Sequence, residues 1–290
     1  MNYQPLTIDQ LQQMVPSAFA TSAHESRSAR YTYIPTSEII RGMMKEGFLP
    51  FAAKQSSTKI AGKEAFTKHL IRFRHASERL GLQVGDSVPE VVVVNAHDGT
   101  SAFNLIAALW RLICGNGMMV SDGPTGSVRV THSGNILDNV IEGSYRVVKE
   151  SALALETSRT WGQLVLTAPE QKVFAEAART VRFGDSEGQV TTPITAEQLL
   201  RPRRSADQGA DLWHTFNRVQ ENVVKGGVTG YAIENGRRRA TTTREIKGID
   251  QDVKLNRALW TLGEKMAEMK GLATVAPSRA AGLSGVSHVA

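Results

Sequence analysis

The sequence predicts an α+β fold: a small, mainly antiparallel sheet packed on a buried central helix, followed by a helical C-terminal region. Strand-like runs crowd residues 48–132, one nearly all-apolar segment lies among them, and helical patterns fill the chain from residue 136 onward. Four regions are expected: a flexible N-terminal arm (1–30), an α+β core domain (31–160), a helical C-terminal region (161–272) and a disordered tail (273–290).

The core begins with a helix and two strands. Pro35 and Thr36 begin a helix that runs to Lys45, and Gly47 ends it. Apolar residues 48–53 then predict a strand. A second strand is predicted over residues 66–75, and Ile71 and Phe73 share one of its faces. The other face carries three cations, Lys68, Arg72 and Arg74. These cations predict a surface that binds the phosphates of a nucleic-acid backbone. The alternative is an ordinary solvent-exposed face of an antiparallel sheet.

The middle of the core combines a strand and an apolar segment. The β-branched run 90–95 predicts a central strand that is buried on both faces. A helix is predicted from about Thr100 to Cys114, and it is apolar nearly all round, so we expect it to be buried. Asn104 and Arg111 are seven residues apart and would share one helical face. Arg111 there would bind a phosphate or form an internal ion pair.

His97, Asp98 and the single cysteine raise the question of a nucleophilic site. In the predicted helix Cys114 lies in the last turn, where the negative end of the macrodipole disfavours a thiolate. His97 would lie about 20 Å away, at the opposite end of that helix. We therefore predict no catalytic residue, no metal site and no cofactor. A site formed by His97, Asp98 and His132 at neighbouring strand ends stays open as an alternative.

The remainder of the chain is predicted to be two short strands and then only helices. The strands, at 118–121 and 128–132, flank the turn sequence SDGPTG. Helices are expected at 136–161, 169–183, 195–200, 211–225 and 249–269. Thr167 and Glu170 form a capping box before the second of these. A basic loop is expected between the last two helices.

Positive charge is concentrated in two windows, although the formal net charge is only +6. Residues 54–79 contain seven Lys and Arg against two Glu, and residues 225–257 contain eight against four acidic residues. A smaller cluster is formed by Arg201, Arg203 and Arg204. Focused basicity of this kind is typical of a phosphate-binding surface, and the alternative is a set of solvated faces with local ion pairs.

Composition excludes several classes of protein. No run of about 18 apolar residues predicts a membrane span, and the N-terminus lacks the basic start and apolar block of a signal peptide. One cysteine excludes an internal disulfide framework and fits a reducing cytosol. A glycine-rich phosphate loop ending in Lys-Ser/Thr is missing, so a P-loop ATPase is not expected. The predicted location is the cytoplasm.

Several stretches resemble a phage- and plasmid-borne family known as domain of unknown function number 932. They are YTYIPTSEIIRGMMKEGFLPF, HLIRFRH, PEVVVVNAHDGTSAFNLIAALWRLICGNGMMV, VRVTH, DLWHTFNRVQENVVKGG and TTREIKGIDQDVKLNRALWTLGEKM. The resemblance covers most of residues 30–270 and implies a mobile-element context in a bacterial cytoplasm. It supplies no catalytic residues.

The order of elements is also similar to the core of single-strand annealing proteins, a group that includes the eukaryotic Rad annealing protein, RecT and Red-beta. This likeness implies a small sheet backed by a helix, a basic groove for the DNA backbone, and assembly into rings or filaments. It rests on element order and charge rather than on shared motifs, and fold-level likeness alone does not establish function.

We therefore predict a non-enzymatic phage or plasmid protein that binds single-stranded DNA and promotes annealing in recombination, as a homo-oligomer with no membrane partner. The alternative is a mobile-element protein that binds and modulates a host defence or replication protein. The predicted nucleic-acid contacts are Lys54, Lys59, Lys63, Lys68, Arg72, Arg74, Arg111, Arg237, Arg238, Arg239 and Lys247.

Overall fold

An antiparallel sheet forms the centre of the fold. The computed structural model describes residues 4–27, 33–79, 86–111, 117–119, 127–129, 136–235 and 237–272. The sheet runs in the order β1 (Phe48–Gln55), β2 (His69–His75), β3 (Ser87–Asn95) and β4 (Asn104–Arg111). Two short strands, β5 (Gly117–Met119) and β6 (Ser127–Arg129), pair with opposite halves of β4. The predicted α+β class is confirmed.

The helices of the described residues follow the predicted caps closely. They are α1 (Ile8–Met14), α2 (Thr36–Lys45), α3 (Ile136–Trp161), α4 (Ala168–Phe183), α5 (Ala196–Leu199), α6 (Leu212–Lys225) and α7 (Ile249–Met269). The capping box of Thr167 and Glu170 begins α4, and the Asp211 side chain caps α6 by accepting a hydrogen bond from the His214 N–H. Gly47, at φ +86°, follows the end of α2.

Both faces of the sheet are covered. On the first face, Ile71, Val91 and Leu105 belong to a cluster with Met43 of α2 and Val147 of α3. On the second face, a smaller cluster packs against the first turn of α7; its members are Leu70, Val92, Val94, Ile106, Ala108 and Ile249. The sheet therefore lies between α2 and α3 on one side and the start of α7 on the other.

The helix predicted from Thr100 to Cys114 is wrong, because residues 104–111 form the strand β4. The strand pairs with β3 in antiparallel register, from Val94 opposite Asn104 to Ser87 opposite Arg111. A segment that is apolar on both sides fits a buried helix and a doubly covered strand equally well, so periodicity could not separate them. In a strand, positions seven apart point to opposite faces, so Asn104 and Arg111 do not share a surface. Cys114 lies outside the described residues.

Part of the predicted flexible N-terminal arm packs into the core. Thr7 and Gln10 form a capping box at the start of α1. Leu11 and Val15 are completely buried in the cluster on the first face of the sheet. The Leu6 N–H donates to the Pro50 carbonyl at 2.7 Å, which ties this segment to β1. The expected disordered tail, 273–290, lies outside the described residues.

The helical C-terminal region has its own aromatic core. Trp161 at the end of α3 lies 4.7 Å from Trp260 of α7 between ring centroids, and Phe216 of α6 contacts both rings. Gly263 of α7 packs against Trp161, since a Cβ there would lie 2.3 Å from the Trp161 Cη2. Only a glycine therefore allows α7 to approach the indole this closely.

Substituting alanine for Gly263 should lower the free energy of unfolding by about 1–3 kcal/mol, because the indole must move within a packed core. This loss is expected despite the gain of up to about 1 kcal/mol in helix propensity. Urea denaturation measures it. The matched control is Gly248→Ala at the N-cap of α7, where the nearest atom to a new Cβ is 3.7 Å away. Alanine caps a helix less well than glycine, so this change should cost about 0.5–1 kcal/mol without any clash, less than Gly263→Ala.

Candidate nucleic-acid interface

The predicted basic loop after α6 is a two-stranded hairpin, formed by β7 (Thr229–Glu234) and β8 (Arg237–Thr242). Asn235 has a φ of +52°, the left-handed conformation that an Asn-Gly hairpin turn requires. Every residue of β8 is exposed, including three consecutive arginines, Arg237, Arg238 and Arg239. Sequence reasoning missed these strands, although the Asn-Gly dipeptide at 235–236 was a usable signal.

The two faces of this hairpin carry different side chains. Ile233 lies opposite Arg238, so both point to the same side, as does Tyr231. The Arg238 Cζ lies 3.7 Å from the centroid of the Tyr231 ring, a cation–π contact. Tyr231 is 53% exposed and Ile233 is 81% exposed. Arg237 and Arg239 lie on the opposite side, so both faces of the hairpin carry positive charge.

The base of the hairpin is held firmly. The Gln198 side chain donates to the Thr229 carbonyl at 2.7 Å, and Gly230 packs directly on the Pro193 carbonyl. After β8, the buried Ile246 anchors the connection to α7 through a hydrogen bond to the Val224 carbonyl. The hairpin tip therefore projects from a fixed base.

The predicted cations of β2 are paired and buried, so they do not form an exposed phosphate-binding surface. Arg72 and Arg74 each donate through Nε to a different oxygen of the Glu90 carboxylate, at 2.6 and 2.7 Å. Glu90 is completely buried, and the Arg72 guanidinium also lies 3.7 Å from the Trp110 ring centroid. The alternation predicted for β2 is thus present, but its arginines are held by Glu90 and lie against the Trp110 and Phe51 rings.

Lys68 and Arg111 are also held by carboxylates. The Lys68 Nζ contacts both oxygens of Asp250 in the first turn of α7, at 2.7 and 2.6 Å. Arg111 forms a buried ion pair with Asp207, whose other carboxylate oxygen accepts a hydrogen bond from Arg204 at 3.0 Å. Of the two roles left open for Arg111, the structure shows the internal ion pair.

The remaining predicted cations are more accessible. Lys59 and Lys247 are exposed, whereas Lys54 and Lys63 are half-buried. Arg244 and Lys254, which were not predicted as contacts, are exposed between the hairpin and the first turns of α7. Among the described residues of the two basic windows, the exposed cations lie on the hairpin, on the segment that joins it to α7 and its first turns, and on the loop after β1.

Two openings flank the first turn of α7 on the second face of the sheet. A cavity of about 230 Å³ is lined by Ala52, Lys54, Leu70, Arg72, Val92 and Asp252, among others. A second cleft, of about 470 Å³, is lined by Val94, Ser101, Asn104 and Lys254, among others. Burial raises the pKa of the Asp252 carboxyl, although the neighbouring Lys54 and Arg72 act in the opposite direction.

His97 belongs to a buried polar cluster rather than to an open site. The Thr36 hydroxyl lies 3.1 Å from His69 Nε2 and 3.3 Å from His97 Nε2, and it accepts a hydrogen bond from the Asn95 amide. The Asp98 carboxylate accepts hydrogen bonds from the Thr100 N–H and hydroxyl, as in an Asx turn. His132 lies outside the described residues.

One pair of tautomers satisfies the hydrogen bonds of the two histidines. His69 Nδ1 lies 3.0 Å from the Ser17 hydroxyl, which can donate or accept, and 3.3 Å from the Thr67 carbonyl, which can only accept. A proton on Nδ1 suits both neighbours and lets Nε2 accept from Thr36. His97 Nε2 must then donate to Thr36, which leaves the buried His97 Nδ1 without a hydrogen-bond partner. Burial, together with the nearby His97, lowers the pKa of His69 to about 3, and burial lowers that of His97 to about 4. Both rings are therefore neutral near pH 7.

One family model matches a stretch of the chain that includes the central sheet, the hairpin and most of α7. A family model described as "Domain of unknown function (DUF932)" matches residues 23–260. The chain belongs to this family. Two proteins similar to this chain are the UPF0380 proteins YafZ and YfjQ of Escherichia coli (strain K12). Each is 42% identical over 262 residues, which is 90% of this chain and 92% of the relative.

The comparisons define the family and not an activity. No solved structure matches this DUF932 chain. The likeness to single-strand annealing proteins therefore stays a prediction from element order. Among the described residues of this DUF932 chain, no helix is both long enough and apolar enough to cross a membrane.

Proposed function

We propose that the protein binds single-stranded DNA and promotes the annealing of complementary strands, as a cytoplasmic phage or plasmid protein acting in recombination. The observation that carries this proposal is the β7–β8 hairpin. It presents Arg238 over the exposed ring of Tyr231 on one face and Arg237 on the other face, on a firmly held base. Assembly of several copies, as in the annealing proteins, is part of the proposal.

The chemistry of the hairpin suits a single strand better than a duplex. Guanidinium groups bind phosphates, and an exposed aromatic ring stacks on unpaired bases without regard to sequence. Tyr231 is the one tyrosine of the hairpin, so most of the binding free energy is expected from phosphate contacts. Lys247 and Lys59 are exposed as well, and both remain proposed contacts. Four of the predicted contacts, Lys68, Arg72, Arg74 and Arg111, are left out of the proposed surface because carboxylates hold them.

The double variant Arg237→Ala/Arg238→Ala should weaken binding to a single-stranded oligonucleotide and reduce its salt dependence. Each lost phosphate contact lowers the slope of log binding constant against log salt by about 0.7, so two lower it by about 1.4. Fluorescence anisotropy of a labelled oligonucleotide at several salt concentrations measures both. The annealing rate of complementary strands should fall in parallel.

The matched control removes the same charge from another surface. Lys149→Ala/Arg159→Ala alters two exposed cations of α3 and should leave the slope unchanged. Equal slopes for the two double variants would rule out the hairpin as the contact. Weak binding at low salt would rule out the proposed function, and a host protein retained in stoichiometric amount after nuclease treatment would then favour the modulator alternative.

A further inference from the structure

We propose that the 230 Å³ cavity between α7 and the second face of the sheet binds one nucleotide whose base carries an exocyclic amino group. The base would lie on the aliphatic floor of the cavity, its amino group would donate to Asp252, and its phosphate would contact Lys54. The choice of a DNA nucleotide as the ligand rests on the proposed function.

The floor of this cavity is aliphatic apart from the side chain of Arg72. Ala52, Arg72 and Val92 lie opposite one another across β1, β2 and β3, so their side chains share the second face of the sheet. Leu70 and Ala108 continue this surface and also line the cavity. The small alanine side chains leave space beside the first turn of α7. An open, aliphatic floor of this kind suits the face of a planar ring.

The polar groups of the cavity are few and differ in charge. Glu90 is shared by Arg72 and Arg74, so these three side chains keep a net charge of +1. Arg72 therefore adds positive charge to that of Lys54. Asp252 is then the one carboxylate among the described residues that line the cavity, and it is the acceptor that selects the base. Lys54 makes no salt bridge within the described part of the chain, and the Asp252 Oδ1 accepts one hydrogen bond from the Asn256 amide at 2.8 Å. A carboxylate has several acceptor sites, so Asp252 can accept further hydrogen bonds.

These groups select both the class of ligand and its orientation. A carboxylate accepts from the amino group of cytosine, and adenine and guanine carry amino groups as well. Thymine has no amino group, and its one ring donor, N3–H, lies between two carbonyl oxygens that repel a carboxylate. A phosphate placed inside the cavity would meet the negative charge of Asp252 and the aliphatic floor, so the phosphate belongs near Lys54. The site therefore prefers amino-bearing bases over thymine.

Single-strand binding with two homopolymers tests this preference. The wild-type protein should bind oligo(dC) about tenfold more tightly than oligo(dT) of the same length, because a hydrogen bond to a charged group contributes that much. Asp252→Asn should reduce the ratio toward one. Ala52→Leu, which fills the cavity without changing any charge, should abolish it while the urea midpoint shows that the fold persists.

Other results would overturn the inference. Equal affinity of the wild-type protein for the two homopolymers would do so, and so would tighter binding of both by Asp252→Asn, which would mean that phosphate occupies the cavity. The hairpin variant Arg237→Ala/Arg238→Ala should weaken both complexes and keep their ratio. If this variant bound both homopolymers as tightly as the wild type and kept the oligo(dC) to oligo(dT) affinity ratio, the hairpin would not be the DNA contact. The unchanged ratio would still support base binding in the cavity.

Free nucleotides show whether the cavity binds an isolated nucleotide or only a nucleotide within a DNA strand. Calorimetry with dCMP and TMP should show binding of dCMP alone if the cavity accepts an isolated nucleotide. Binding of dCMP without binding of either homopolymer would support the cavity and contradict the proposed function. No binding of dCMP, oligo(dC) or oligo(dT) would contradict both.

Discussion

Replacing Glu90 by alanine should lower the free energy of unfolding by about 3–5 kcal/mol, since the change leaves two buried guanidinium groups without their counter-charge. Glu90 is completely buried, and its two carboxylate oxygens are divided between Arg72 and Arg74. Arg72 lies against the Trp110 ring and Arg74 against the Phe51 ring, and both side chains are about nine-tenths buried, so water solvates them poorly once the carboxylate is gone. Urea denaturation at neutral pH measures the change.

Two further variants show whether the charge or the side-chain volume matters. Glu64→Ala removes an exposed glutamate and should change stability by no more than about 0.5 kcal/mol. Replacing Arg72, Arg74 and Glu90 together by apolar residues of similar size should recover most of the loss, because no unpaired charge then stays buried. If the Glu90→Ala variant were as stable as Glu64→Ala, the cluster of Arg72, Arg74 and Glu90 would not be shielded from water.

Lowering the pH from 7 to 5 should cost about 4 kcal/mol of stability, contributed by His69 and His97. In the unfolded chain a histidine has a pKa near 6.5, whereas in the fold these two have pKa values of about 3 and about 4. The unfolded state therefore binds more protons below pH 6.5. The stability is fully present above that pH and is lost as the pH falls toward 4. At pH 5 each ring accounts for about 2 kcal/mol.

Urea midpoints between pH 7.5 and 4.5 test this acid sensitivity. His97→Gln removes one of the two titrating rings, so the loss between pH 7 and pH 5 should be about half that of the wild type. The comparison is made within each variant across pH, so a general loss of stability by His97→Gln does not affect it. If the stability of the wild type did not change over this pH interval, His69 and His97 would not both be neutral in the folded protein with lowered pKa values.

Local signals in the sequence predicted most helices, because caps and glycines act over a few residues. Thr36–Lys45, Ile136–Trp161 and Ile249–Met269 were all predicted with the ends that the structure has. The capping box of Thr167 and Glu170 is a contact between residues three apart, so it can be recognised from the sequence alone. The strand β4 was mistaken for a helix because both of its sides are buried, which removes the alternation that marks a half-exposed strand.

The candidate site was harder to predict because its partners are distant in the chain. The alternation of β2 correctly placed Lys68, Arg72 and Arg74 on one face. Nothing local showed that this face is covered, since Lys68 meets Asp250 from 182 residues away. The Arg111–Asp207 pair likewise joins residues 96 apart. The hairpin arginines stayed accessible because β8 pairs only with β7 among the described strands.

The arginines of the hairpin also have a consequence for solubility. A two-stranded sheet has two free edges, and the unpaired N–H and C=O groups of an edge can recruit a strand from another molecule. Three adjacent positive charges on β8 make such pairing between copies electrostatically unfavourable, which offsets the exposed Ile233 and Tyr231. The same residues that we propose to hold DNA would thereby guard the free protein against edge-to-edge aggregation.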